Sequence, residues 1–301
     1  MLRFRNYFFI LPAALSALAL VAIFTFGLRP GIDLAGGSLL SVSYLAERPE
    51  IAKARASAES LGYGQVLIQP SGERDFLLRQ RELSPEEKDA LLTALGAHGE
   101  VEEVQFTSIG PSIGAELLRK AWIAIALVIL FTVAFIAFAF RKVSQPVASW
   151  KYGVVAIGTL LHDILIPTGL FAYLGYARGA EVDALFIVAL LTILGISVND
   201  TIVVFDRIRE NLKRNEEASR REAFAEVVDR SVRQTLVRSV NTSVTVLIVL
   251  CALFFLGPAS TKDFSLTLIV GMVAGTYSSI LLASPLLVLW EGWGRRKVSQ
   301  A

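Results

Sequence analysis

The segment ALFIVALLTILGISVNDTIVVF, residues 184–205, decides the fold, because it is long and apolar enough to cross a bilayer as one helix. Towards its end it carries a carboxylate, Asp200, beside Asn199. Ionisable residues inside a membrane helix are energetically unfavourable, usually face the interior of a helix bundle and are candidates for function. The segment therefore predicts a membrane fold and also a functional site.

The rest of the chain repeats the apolar pattern. It has 301 residues, of which 54% are hydrophobic, and its mean hydropathy is +0.57. A chain this apolar with several runs of about 20 apolar residues is a polytopic α-helical membrane protein. Six runs are predicted to span the membrane: Tyr7–Leu28, Ala121–Phe140, Gly153–Leu174, Ala184–Phe205, Val240–Leu256 and Leu266–Trp290. The fifth is short, and we expect its helix to begin earlier, in more polar sequence.

Charge and cysteine content narrow the class further. The formal net charge of +2 gives no reason to expect a nucleic-acid partner. The single cysteine, Cys251, lies inside an apolar run and cannot build a disulfide framework or a thiolate metal site. The first run is longer than the apolar core of a cleavable signal, so we expect it to be an uncleaved anchor.

The distribution of Lys and Arg predicts the orientation. Short loops on one side hold almost all of the basic residues, and the opposite short loops hold only Arg178 and Lys262. This asymmetry predicts that both termini are cytoplasmic and that the connection between the first two runs is external. The cytoplasmic basic residues are Arg3, Arg5, Arg141, Lys142, Lys151, nine between Arg207 and Arg238, and Arg295, Arg296 and Lys297.

The external connection is predicted to be a small α+β domain. Its segments suggest strand 36–45, helix 49–64, strands 65–70 and 75–83 around the turn Ser71-Gly72, helix 84–99 and strand 101–109. Ser84 followed by Pro85 and acidic residues is typical of a helix N-terminus. The order βαββαβ predicts a ferredoxin-like sandwich. Its one histidine, His98, is expected to be solvated, and a binding or mechanical role fits the domain better than catalysis.

The cytoplasmic segment 206–237 mixes acidic and basic residues on an amphipathic pattern. Two interpretations remain open: a solvated hairpin that links two spans, or a surface that docks a partner or lipid headgroups. The predicted division of the chain is 1–28 for the N-terminus and first helix, 29–120 for the external domain, 121–205 for helices two to four, 206–237 for this segment, 238–290 for helices five and six, and 291–301 for a basic tail.

Polar residues recur in three of the predicted spans. The third run holds His162 and Asp163 near its middle, and these two could extend a proton relay or could satisfy each other and the backbone. The remaining candidates for a relay or for helix packing are Asn199 on the fourth helix and Asn241 and Thr242 on the fifth. In the last span, small residues at Gly271, Gly275, Ser279 and Ala283 predict close packing between helices.

Depth singles out one pair of charges. Asp200 lies 17 residues from Asp183, or roughly 26 Å along a helix, and Arg238 lies 19 residues from Gly257, or roughly 28 Å. The two charges are thus predicted to share a depth on consecutive helices, where an ion pair would offset much of the energy of burial. Asp200 could be a protonatable switch, or the pair could be a structural clamp, or Arg238 could reach the headgroups alone.

Five motifs, in this order along the chain, resemble those of the SecF family of bacterial protein-export subunits. They are GIDLAGG (31–37), IGPSIGAEL (109–117), NDTIVVFDRIREN (199–211), QTLVRSVNTS (234–243) and GTYSSILLASPLL (275–287). The family-motif residues are Gly31, Asp33, Gly36, Gly37, Gly110, Pro111 and Gly114. Leu34 departs from the Phe that is usual in the family, which is an apolar exchange.

The resemblance implies half of a transporter of the RND superfamily: six transmembrane helices and an external domain between the first two. It implies a location in the bacterial inner membrane, and partners that include SecD, the SecYEG channel, the exported preprotein and YajC. The implied activity is assistance to late protein translocation, driven by H⁺ or Na⁺ as the coupling ion and with no cofactor. The family's essential intramembrane charges fall on Asp200 and Arg238, and its complete ion path also uses a carboxylate of SecD.

Two other functions remain as alternatives: a scaffold that conducts nothing, and an exporter of lipids or small molecules. The small external domain leaves little room for the binding cleft that such an exporter needs. An enzyme is not expected, because the sequence lacks a Ser/His/Asp set, a metal cluster and a phosphate loop. GIDLAGGS is glycine-rich without the P-loop Lys or the G-x-G-x-x-G spacing.

Overall fold

The computed structural model describes residues 9–139 and 147–298, and the chain divides into two compact units. One unit comprises Pro30–Trp122 together with Val182–Ala184, and the other contains the remaining described residues. The basic residues predicted at 3, 5, 141 and 142, and the side chains of 295–297, lie outside the described part of the chain.

The first unit is the predicted α+β domain. It consists of α2 (Ile32–Ala35), β1 (Gly37–Tyr44), α3 (Ile51–Glu59), β2 (Leu67–Ser71), β3 (Asp75–Gln80), α4 (Pro85–Gly96) and β4 (Val101–Ile109). The strand order in the sheet is β2-β3-β1-β4 with every neighbouring pair antiparallel, which is the ferredoxin-like arrangement. Leu40, Val42, Phe76, Leu78 and Leu91 belong to its buried core.

Local sequence explains the ends of these elements. Ser84 Oγ accepts from Glu87 N at 3.3 Å, and Ser84 N donates to the Glu87 carboxylate at 3.0 Å, so the predicted helix start is a capping box. Gly72 has a φ of +66° in the turn between β2 and β3. Helix α3 ends at Glu59, earlier than the predicted 64. His98 is exposed, as expected, and its Nε2 lies 2.7 Å from Ser57 Oγ of this helix.

The second unit is a bundle of apolar helices. Its helices are α1 (Ile10–Phe26), α5 (Pro111–Ala139, whose first turns lie in the other unit), α6 (Ser149–Arg178), α7 (Ala184–Glu217), α8 (Phe224–Leu256), α9 (Lys262–Ser278) and α10 (Ser284–Val298). Within the described residues, five helical spans are long and apolar enough to cross a membrane, and α1 adds a shorter apolar helix of 17 residues. This confirms the predicted polytopic fold.

The helices extend beyond the apolar runs that predicted them. α7 continues through Phe205 to Glu217, and α8 begins at Phe224, which confirms that the fifth helix starts in polar sequence. Apolar side chains of this extension, including Ile208 and Val228, are buried in one cluster with Tyr152 of α6. Hydropathy marks only the part of a helix that faces hydrocarbon, so it could not locate these ends.

The last span is also not a single regular helix. A π-helical segment, Ser279–Ala283, separates α9 from α10, and Ser284 Oγ donates to Ser279 O, five residues earlier, at 3.2 Å. π-helical turns inside α-helices occur frequently at functional sites. The predicted run of small residues passes through this segment.

Candidate functional site

The polar residues of the bundle meet where α9 packs closely on α7. A Cβ added to Gly271 would lie 2.2 Å from Cδ1 of Ile193, and one added to Gly275 would lie 3.0 Å from Cβ of Ser197. One turn further, Ser279 Oγ lies 3.2 Å from Thr201 Oγ1. The small residues therefore bring the two helices together, as predicted, and bring hydroxyl groups into contact.

Asp163 of α6 lies at the centre of this contact. Its side chain is completely buried, and its Oδ2 accepts hydrogen bonds from Ser278 Oγ at 2.9 Å and from Ser197 Oγ. Its other oxygen, Oδ1, is buried and has no hydrogen-bond partner among the described residues. One carboxyl group thus joins three helices, α6, α7 and α9.

His162 makes a separate set of contacts. Its Nδ1 lies 3.1 Å from Ser16 Oγ of α1, and its Nε2 lies 2.8 Å from the Tyr277 hydroxyl of α9. Of the two alternatives for His162 and Asp163, the described contacts therefore do not include a hydrogen bond between the two side chains, and a relay stays a prediction. Adjacent residues on a helix point about 100° apart, so they reach different neighbours.

Asp200 is buried as predicted, with 7% of its surface exposed. It lies on the wall of a cavity of about 110 Å³ between α7, α8 and α9. Its polar lining residues include Ser197, Thr192 and Thr276, but almost all of the surface that faces the cavity is apolar. The volume is well above the roughly 10–15 Å³ that one water molecule needs. Asp200 thus borders a space that is large enough for water and has mostly apolar walls.

The predicted direct ion pair between Asp200 and Arg238 does not form. Arg238 acts on Asp200 electrostatically, but no salt bridge of 4.0 Å or less joins the two among the described residues, and Arg238 is exposed. Equal depth along two helices does not fix the direction in which each side chain points, and α8 turns Arg238 towards its outer surface. The role of both residues in ion coupling stays a prediction.

The structure separates the other predicted residues from this cluster. Asn199, Asn241 and Thr242 are exposed, and Thr242 Oγ1 donates to the backbone oxygen of Arg238 at 3.0 Å. Sequence reasoning did not single out Ser16, Thr276, Tyr277 and Ser278; Thr276 Oγ1 donates to Ser243 Oγ at 2.7 Å. The signal for three of them was the polar triplet Thr276-Tyr277-Ser278 inside an apolar run.

The glycine motif after the first helix has a structural role within the α+β unit. Gly31 N donates to Val182 O at 2.8 Å, and the Asp33 carboxylate accepts from Ala184 N at 3.1 Å. These two hydrogen bonds thus join residues 182–184 to the motif, about 150 residues earlier in the chain. Proximity in sequence alone could not have suggested this partner.

The motif segments GIDLAGG (31–37) and IGPSIGAEL (109–117) also pack on each other. Gly36 has a φ of +79°, and a Cβ there would lie 2.6 Å from Cα of Pro111. A Cβ on Gly114 would lie 2.7 Å from Gly36 N, and one on Gly37 would lie 2.7 Å from Gln80 O. Gly110 immediately precedes Pro111 at the start of α5. Gly36 and Gly114 therefore lie in one close backbone contact that excludes larger side chains.

Comparison with known proteins gives consistent matches. The family described as "Protein export membrane protein SecD/SecF, C-terminal" matches residues 88–293, and "SecD/SecF GG Motif" matches residues 21–44. A Protein translocase subunit SecF from Thermobaculum terrenum is 43% identical over 96% of this chain and 93% of that protein. One from Synechocystis sp. is 35% identical over 92% of this chain and 90% of that protein.

A longer relative and a solved structure extend the comparison. Protein translocase subunit SecDF from Thermus thermophilus is 36% identical over 95% of this chain, which covers 37% of that protein. The crystal structure of SecDF from the same species has a TM-score of 0.81 and 34% identity, over 96% of this chain and 38% of the solved chain. A SecDF structure in a super-membrane-facing form has a TM-score of 0.69.

Proposed function

Because the chain belongs to the SecD/SecF family of protein-export membrane proteins, we propose that it couples ion movement through its helix bundle to protein export. The chain is a membrane protein of the protein translocase. It spans only 38% of the solved SecDF chain, so we propose that export activity also requires a polypeptide equivalent to the rest of SecDF. The ion, the ion-binding residues and the remaining partners are the content of the proposal.

The observation that carries the proposal is the position of Asp200. The residue is 7% exposed, belongs to a membrane-spanning helix and lines a cavity large enough for water. A buried carboxyl is retained in a membrane helix at an energetic disadvantage, which is why such residues usually take part in transport. Binding or release of H⁺ or Na⁺ at Asp200 would change the charge on the contact between α7 and α9.

Arg238 supplies the second charge of the proposed site. It acts on Asp200 from a distance, and its exposed position on α8 makes it available to a group outside this chain. Only 17% of the most apolar stretch of α8 is buried among the described residues. Most of that helix surface is therefore open to lipid or to another subunit. We propose that a SecD half, as found in the fused SecDF relative, covers this surface and supplies a further carboxylate.

The proposal includes the setting in which the chain works. The chain would lie in the bacterial inner membrane with both termini cytoplasmic, beside the SecYEG channel and an exported preprotein, with YajC as an accessory partner. It would act as a transporter subunit, with no enzymatic activity and no cofactor besides the coupling ion. The α+β unit would contact the exported chain outside the membrane.

The test is the substitution Asp200→Asn, which keeps side-chain size and removes the titratable charge. The variant should still insert into the membrane and assemble with a SecD partner and the channel. Inside-out membrane vesicles that contain this complex should, however, lose ion-driven export. Asp206→Asn is the matched control, since Asp206 lies on the same helix and its exposed carboxylate pairs with Arg209. Normal ion-driven export by Asp200→Asn would refute the proposal.

Substitution of the arginine separates ion coupling from the scaffold alternative. A scaffold should tolerate Arg238→Met, whereas an ion-coupling subunit should lose ion-driven export and keep its partner bound. Arg233→Met on the same helix is the control, because Arg233 is exposed and pairs with Asp229 at 2.9 Å. Ionophores that collapse either the H⁺ or the Na⁺ gradient identify the coupling ion in the same vesicles.

A further inference from the structure

Asp163 is a second buried carboxyl in the bundle, and the proposed function assigns no role to it. Its side chain is completely buried, and both groups that donate to it, Ser197 and Ser278, are neutral hydroxyls. Oδ1 has no hydrogen-bond partner among the described residues. The group is therefore less well satisfied than a purely structural carboxylate in a protein interior usually is.

Among the residues that the structure describes, no cation pairs with this carboxyl. The titratable groups near it are His162, next to it on its own helix, and Tyr277 on α9; Asp200 lies one turn beyond Ser197 on α7, and α8 presents Arg238 to the outside. Within the described residues no Lys or Arg forms a salt bridge with Asp163. An isolated carboxylate in a low-dielectric interior is strongly disfavoured, and such a group takes up a proton instead.

The Ser197 hydroxyl connects this carboxyl to the cavity. Ser197 donates to Asp163 Oδ2 and also lines the cavity that Asp200 borders. Ser197 and Asp200 are three residues apart on α7, so both lie on the helix face that the cavity adjoins. Asp163 is therefore one hydrogen bond away from a residue that lines a space large enough for water next to Asp200.

We propose that Asp163 is a second proton-binding carboxyl of the bundle, which exchanges its proton with the cavity beside Asp200 through the Ser197 hydroxyl. On release, the Ser197 hydroxyl first rotates, so that its proton points to a water molecule in the cavity and its oxygen accepts from the protonated Oδ2 of Asp163. The carboxyl proton then passes to Ser197 Oγ as the original hydroxyl proton passes to that water molecule. Uptake is the reverse, and the net change is one proton moved between Asp163 and water. This inference rests on the proposed function only in taking Asp200 as the ion-coupling carboxyl.

The two serines provide a matched pair of variants. Both serines are buried and donate to the same oxygen of Asp163. Of the two, Ser197 lines the cavity and Ser278 does not. If the hydroxyls merely tie helices together, Ser197→Ala and Ser278→Ala should be equally harmful. If Ser197 transfers the proton, Ser197→Ala should lower proton flux roughly tenfold or more below that of Ser278→Ala.

Two measurements on the full chain test the inference. Infrared difference spectra of the purified protein in lipid report protonated carboxyl groups directly. Asp163→Asn should remove one such band at neutral pH, and Ser197→Ala should slow its exchange with deuterated water relative to Ser278→Ala. Proton flux into vesicles that contain the chain with a SecD partner, followed with a trapped pH-sensitive dye, should fall in Asp163→Asn and Ser197→Ala.

The outcomes separate this inference from the proposed function. Loss of ion-driven export in Asp200→Asn, with normal flux in Asp163→Asn and Ser197→Ala, would overturn the second proton site and leave the proposed function standing. Equal exchange and equal flux in Ser197→Ala and Ser278→Ala would also overturn it, even if Asp163→Asn failed to fold. Normal export in Asp200→Asn would refute the proposed function, while the infrared result would still decide whether Asp163 carries a proton.

Discussion

The substitution Gly36→Ala tests whether the glycine motif is a backbone contact that excludes side chains. Gly36 has a φ of +79° and a ψ of 165°, a conformation that is accessible almost only to glycine. The added Cβ would lie 2.6 Å from Cα and 2.9 Å from N of Pro111. To reach an ordinary contact of 3.4 Å, the start of α5 would have to move away by about 0.8 Å.

Two unfavourable terms therefore act together at Gly36. Placing alanine in the positive-φ region is unfavourable by roughly 1–2 kcal/mol, and overpacking against backbone typically adds about 1–3 kcal/mol. Gly62 provides the control, because its φ is +73° and a Cβ there has nothing within 4 Å. Gly62→Ala should lower stability by about 1–2 kcal/mol, and Gly36→Ala by about 2–5 kcal/mol.

Hydrogen exchange on the full-length protein in lipid is a suitable assay. Amides of β1 and β4, which pair with each other next to Gly36, should exchange faster in Gly36→Ala than in Gly62→Ala. The denaturant midpoint of the α+β unit should shift in the same order. Equal exchange rates in the two variants would show that the contact with Pro111 is not tight and that the motif serves another purpose.

Two further predictions concern helix packing and pH. Gly169→Ala should lower stability by about 1–3 kcal/mol, and with it the thermal midpoint of the purified protein, because the new Cβ would lie 2.4 Å from the backbone of α1. Gly158→Ala on the same helix is the control: a Cβ there has nothing within 4 Å, so the variant should be neutral or stabilising. A loss of stability in Gly158→Ala as large as in Gly169→Ala would contradict the packing. Arg81, with the backbone at Ser84, lowers the pKa of Glu87 below its ordinary value of 4.5. The stability that Glu87 contributes should therefore be fully present above that value and disappear as the pH falls through the lower folded-state pKa; a pH titration of unfolding in which Glu87→Gln keeps the same acid limb would refute this.

The sequence by itself determined the architecture, because hydropathy and turn chemistry act locally. Runs of apolar residues located the spans, and the alternation of short helices and strands predicted the βαββαβ order that the sheet confirms. Ser84 and Pro85 predicted a helix start that the capping box bears out. The spacing of Gly271 and Gly275 predicted a close helix contact, since i, i+4 residues share one face whatever lies opposite.

The tertiary structure alone decided how the polar residues are arranged. Position along a helix gives depth, but the direction of a side chain depends on how each helix is rotated against its neighbours. That rotation turned Arg238 outwards and brought Ser278 within 2.9 Å of a carboxyl 115 residues away. The partner of the glycine motif was likewise set by a contact between residues 33 and 184, which no local pattern encodes. Membrane depth follows from the order of residues along one helix, whereas a hydrogen bond between helices needs the packing of both.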